Sequence, residues 1–169
     1  MGRALAAALG PALRARGLSL GRDAVLILSN DCCHYGAAFQ FEPHGSDAAG
    51  HRRQVQIDED ICKECLTGTM SPEKVDEFRR RTFNPDPERR REVDSLWCGV
   101  HPIAVGVHAL LHLNPAGVQG RVLGLSNSVD CAPLAWPSPP PGLTCPPPSF
   151  HHWVGHLAAA YYPATDPAP

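Results

Sequence analysis

Three short groups of residues carry the chemistry that this sequence offers. The first is Asn30-Asp31-Cys32-Cys33-His34-Tyr35-Gly36, placed directly after an apolar run. A carboxylate three residues before an imidazole sets the ring's tautomer and tunes its proton affinity, as a general base requires. The same pair also reads as an Asp satisfying a local His in a turn. The second group is Cys98-Gly99-Val100-His101-Pro102-Ile103. A thiol just ahead of a helix lies at the positive end of the helix dipole, which favours thiolate, the nucleophilic and metal-binding form. Its other reading is a small buried side chain before a turn glycine. The third is Cys62-Lys63-Glu64-Cys65, a lone Cys-x-x-Cys. Structural zinc takes four ligands, and neither Cys32-Cys33 nor His151-His152 has finger-like spacing to complete a set. Cys62 and Cys65 therefore read as incidental surface cysteines. His108 and His112 are one turn apart but sit among Val107, Leu110, Leu111 and Leu113, and read as helix-face residues. His44, His51, His151, His152 and His156 have no usable spacing. No phosphate loop, dinucleotide fingerprint or Gly-x-Ser-x-Gly elbow is present.

These groups need elements to hold them. Asp23-Ala24-Val25-Leu26-Ile27-Leu28-Ser29 is apolar, partly β-branched and bounded by Gly21 and Asn30, and predicts a buried strand ending at Asp31. That end of a strand is where ligands sit in open α/β sheets. Before it, Arg3 to Arg16 predicts an amphipathic helix, loosened at Gly10-Pro11 and stopped at Gly17. Residues 1–22 are also arginine-rich and acid-free, the composition of an organellar transit peptide. The helix is the preferred reading because a strand follows at once, making an α/β unit. Glu42 to Asp60 is polar and is expected to be mostly loop, with a candidate helix from Asp58 to Thr69. Ser71-Pro72-Glu73 starts a further helix, with Ser71 as cap and Pro72 in the first turn, and Asn84-Pro85-Asp86-Pro87 ends it. Pro102 to Leu113 predicts a buried helix, Arg121 to Ser128 a second strand, and Val154 to Tyr162 another strand or a helix start. Pro133 to Pro148 holds 8 of the 18 prolines and excludes a regular element.

The chain has 169 residues, enough for one domain. Fifteen basic residues against 17 acidic ones leave no electrostatic footprint for nucleic acid. No apolar run approaches the roughly 20 residues that span a bilayer. Seven cysteines in this length fall well short of a secreted disulfide scaffold and point to reduced thiols in the cytoplasm, or in an organelle if residues 1–22 are a transit peptide.

Two of the segments are more informative together. Leu26-Ile27-Leu28-Ser29-Asn30-Asp31-Cys32-Cys33-His34-Tyr35-Gly36 resembles the strand and Ser-x-Asp-x-x-His-x-Gly signature of the Memo-like family. Cys98-Gly99-Val100-His101-Pro102-Ile103 resembles that family's Cys-Gly-x-x-Pro-Ile segment, in the expected order and at comparable separation. The resemblance implies an α/β fold related to class II extradiol dioxygenases, with a central mixed sheet flanked by helices. It implies a metal site with Cys98 as ligand and Asp31 and His34 as second-shell or acid/base residues. Thiolate with imidazole suits iron or copper as well as zinc, so ligand type alone does not select the metal; the resemblance implies iron or copper, zinc less, for redox or dioxygenase-like chemistry. The cysteine departs from the carboxylate of true non-haem iron dioxygenases, so ring cleavage does not follow from the fold. The resemblance begins near the middle of the family's length, and both family histidine ligands fall before it. The expectation is a single incomplete Memo-like domain over 1–169, with a Pro-rich insert over 132–150, that is not competent alone. It is then completed by a missing N-terminal half or a protein partner. The alternative is a non-enzymatic signalling or interaction module that uses the vestigial pocket.

Overall fold

The computed structural model describes residues 1–130 and 147–164. It is an α/β protein. A helix α1 (Gly2–Arg14) opens the chain, followed by a short strand β1 (His34–Gly36) and the long helix α2 (Ala48–Cys65). Strand β2 (Gly68–Thr69), helix α3 (Pro72–Thr82) and helix α4 (Val100–Leu113) come next, and the chain closes on the long strands β3 (Val118–Asn127) and β4 (His152–Pro163). The sheet order is β1-β4-β3-β2. All three ladders are antiparallel, so the mixed sheet expected from sequence is not what the described residues form. Among these residues no helix is long and apolar enough to cross a membrane.

Local signals account for most of the elements. Ser71 accepts a hydrogen bond from Lys74 N and Pro72 occupies the first turn, so α3 begins where its cap places it. Pro11 lies inside α1, and the chain turns after it at Gly17, whose φ is +66°. Helices α1 and α4 pack closely because glycines let them: a Cβ on Gly2 would collide with the side chain of His108. One face of α4, with Val100, Ile103, Ala104 and Val107, is buried in the core. Strand β3 carries an extra residue at Leu123, where the pairing skips from Val122↔Ala159 to Gly124↔Ala158.

Two expectations are corrected. Residues 48–57 are not loop but the first half of α2. Asp47 caps it by accepting from Ala49 N and Gly50 N, and its buried stripe is Gly50, His51, Gln54, Asp58, Ile61, Cys62 and Cys65. The stripe has helical spacing but is half polar, which hid it from an apolar-periodicity reading. The second correction is Asp23–Ser29, which pairs with no strand among the described residues. Leu28 seats against Gly106 of α4, while Val25 is 72% and Ile27 82% exposed. A strand is buried by having a neighbour along each edge and a layer on each face, and among the described residues this segment makes no more than the isolated Leu20–Ala24 bridge. The Pro-rich stretch expected over 132–150 lies outside the described residues up to position 146.

Candidate functional site

The two sequence motifs meet through their backbones. His34 N donates to Leu96 O at 2.8 Å, Cys33 bridges Trp97 in antiparallel sense, Cys98 N donates to Cys32 O at 3.4 Å, and Gly99 N donates to Asp31 O at 3.0 Å. Residues 31–34 and 96–99 thus run side by side as two short extended strips. The approach is close because residue 99 is glycine: a Cβ there would collide with the side chain of Asn30. Helix α4 starts at Val100 with Gly99 as its cap residue, which puts Cys98 just ahead of a helix, as read from the sequence.

Asp31 and His34 do face each other. His34 Nε2 lies 3.4 Å from Asp31 Oδ2, a long contact in which the ring nitrogen donates, since a carboxylate only accepts. The carboxylate is half exposed and the imidazole 22% exposed, so water screens the pair. The imidazole is further held by Phe39, whose ring centroid is 4.6 Å away and which stacks in turn on His152 at 4.7 Å. Cys98 is exposed, unlike the other four described cysteines. The arrangement offers a solvent-accessible thiol on one strip and a carboxylate–imidazole pair on the strip that runs alongside it.

Beneath this corner the groups are buried. Cys32 and Cys33 are fully covered, and burial raises both thiols far above the ordinary thiol range, leaving them protonated. Cys62 and Cys65 are not surface residues as expected from their polar neighbours; they face the core from α2, and burial pushes the Cys62 thiol up to about 12. Among the buried polar groups is Asp58. It accepts from Ser95 Oγ at 2.6 Å and Trp97 Nε1 at 3.1 Å, and desolvation raises its carboxyl to about 6 despite these bonds.

A further polar cluster escaped the sequence reading. His51 Nε2 lies 3.2 Å from Asn127 Oδ1, which also accepts from Val129 N at 2.9 Å and Asp130 N at 3.0 Å. Asn127 Nδ2 donates to Asp130 Oδ2 at 2.7 Å. An oxygen already accepting two amides requires a donor, so His51 carries its proton on Nε2. Trp153 packs edge-on against the His51 ring at 5.1 Å. A polar cavity of about 220 Å³ borders Asn127, Asp130, Asp58 and Trp153. The available signal was the helical spacing of His51, Gln54 and Asp58 behind an Asp cap, within a stretch whose polarity argued for loop.

The donor set does not by itself fit a metal ion. Asp31 and His34 are engaged with each other, and among the described residues no group of three or more His, Cys, Asp or Glu is placed to hold one. His108 stands on α4 against α1, and His112 is exposed on the same helix. No protein-family model matches the chain. A search of curated proteins likewise returns no match.

Proposed function

We propose that the corner formed by Asp31, His34 and Cys98 is one half of a Memo-like redox or dioxygenase-like site. Cys98 supplies a thiolate, and the Asp31–His34 pair takes up and returns a proton beside it. The remaining ligands for iron or copper come from a second polypeptide or a longer form of the chain, so these 169 residues are not competent alone. The observation that supports this reading is the paired backbone of residues 31–34 and 96–99, which brings two distant motifs to one solvent-accessible corner. Cobalt(II) titration tests it, because thiolate ligation gives an intense near-ultraviolet charge-transfer band. The chain alone is expected to bind weakly, with a band that Cys98→Ser removes. An undiminished band in Cys98→Ser, or tight stoichiometric binding by the chain alone, would overturn the half-site.

The second reading is a non-enzymatic interaction module that binds a peptide at the same corner. The stacked row His34, Phe39 and His152 favours it, since aromatic rows are how grooves hold extended peptides. In this reading partner capture survives Cys98→Ser and is lost in Phe39→Ala with folding intact; capture that Cys98→Ser abolishes, or that Phe39→Ala leaves unchanged, would exclude it.

A further inference from the structure

A second feature lies away from that corner, where β4 runs out of partners. Up to Gly155 the strand is covered on one edge by β1, with Gly155 N donating to Cys33 O at 2.8 Å and Cys32 N to Gly155 O at 2.9 Å. Its other edge stays paired to β3 as far as Pro163. Beyond Gly155 the first edge has no ladder partner among the described residues. Backbone groups alternate sides along an antiparallel strand, so the N–H and C=O of Leu157, Ala159 and Tyr161 point to this open edge. Across from it runs the extended segment 24–30, and none of its amides from Val25 to Asn30 has a hydrogen-bond partner among the described residues.

Between the two lies a cavity of about 620 Å³. Leu26, Leu28, Leu157 and Ala159 form much of its wall, and among the described residues no Asp, Glu, Lys, Arg or His lines it. Val25, Ile27 and Leu123, also part of the lining, are 72%, 82% and 59% exposed.

We infer that this slot binds an uncharged, extended peptide strand from another polypeptide, which adds to the open edge of β4. The wall chemistry selects that occupant. A charged ligand would lose its hydration with no countercharge to meet it. A helix satisfies its own backbone and would leave the outward main-chain groups of Leu157, Ala159 and Tyr161 unpaired. A purely apolar molecule has the same defect. An extended strand offers N–H and C=O groups at a two-residue period and alternate side chains for the apolar wall, the mode known as β-augmentation. Leu157 to Tyr162 provides an edge matched to a strand of five or six residues, about 17–20 Å long. This surface is separate from the Asp31–Cys98 corner, and its test involves no metal and no thiol.

The probe is a fluorescein-labelled Thr-Val-Thr-Ile-Thr-Val peptide, blocked at both ends, titrated against the full chain by anisotropy. A control peptide has the same sequence with alternate amides N-methylated. The expected result is saturable binding of the first peptide, weakened about tenfold or more by N-methylation, since losing one or two backbone bonds is worth about that factor. Hydrogen exchange at Leu157, Ala159 and Tyr161 should slow on binding. Ala159→Pro removes one outward amide at a position where edge strands tolerate proline, and should weaken binding similarly. If that variant fails to fold, the N-methylated control decides the question with the chain unchanged. Equal affinity for both peptides would overturn the proposal, as would no binding up to about 1 mM peptide, the affinity of a negligible contact. Concentration-dependent dimers that the peptide does not dissociate would also overturn it, identifying a second copy as the occupant.

Discussion

The Ser95 hydroxyl donates to the Asp58 carboxylate at 2.6 Å, tying the middle of α2 to the strip that delivers Cys98. Asp58 also holds the Trp97 indole, next in sequence to that cysteine. The depth of the candidate corner is therefore set by a carboxylate that desolvation keeps easy to protonate.

That carboxylate makes stability depend on pH in a defined window. Its pKa rises from 3.8 to about 6 on folding, so the folded chain holds the proton more tightly than the unfolded one. Its contribution is fully present below the unfolded value and is lost as pH rises through the folded one. Asp58→Asn keeps an acceptor for Ser95 and Trp97 and has no proton to lose. Denaturant titrations are expected to show wild-type stability falling between pH 4 and pH 6 relative to the variant, by on the order of 2 kcal/mol. Parallel stability curves for the two chains across that window would show that Asp58 does not titrate on its own.

Gly99 is the hinge of the site because its lack of a side chain lets residues 98–99 lie against residues 30–32. Gly99→Ala should push Asn30 aside and break the bond from Gly99 N to Asp31 O. Overpacking of this kind costs about 1–3 kcal/mol. Chemical denaturation measures that cost, and the His34 ring resonances should shift as Asp31 moves. A variant with wild-type stability and unmoved His34 signals would contradict the packing described here.

Thiol accessibility separates Cys98 from its neighbours. Cys32, Cys33, Cys62 and Cys65 are buried and held protonated, whereas Cys98 is exposed. Native-state alkylation with iodoacetamide, mapped by mass spectrometry, is expected to modify Cys98 well before those four, which are both covered and harder to ionise. Comparable labelling at Cys62 or Cys65 would mean that α2 opens readily in solution.

Local physics made several elements legible. Ser71 and Pro72 start α3 through a cap and a preset φ, and Asn114-Pro115 follows the last residue of α4. The apolar run Arg121–Ser128, read as a strand, falls in β3, and Val154–Tyr162, left between a strand and a helix start, is strand β4. The three-residue spacing of Asp31 and His34 already put both within reach of each other, because so short a separation leaves the chain few other options.

Partnership over distance was not legible. The run Asp23–Ser29 has the composition of a buried strand, yet burial depends on whether other strands lie beside it, and composition carries no record of which ones do. Cys62 and Cys65 sit in polar sequence but face inward, because the tertiary packing of α2 decides which of its stripes is covered. His51 and Asn127 are 76 positions apart and become partners only when the β3 end folds back onto α2. The sequence by itself determined the start of α3, the helix α4, the strand β3 and the two motifs, all of which rest on interactions within a few residues. The tertiary structure alone decided that Cys98 lies beside Asp31 and that one edge of β4 stays open, since both follow from backbone pairing between segments far apart in the chain.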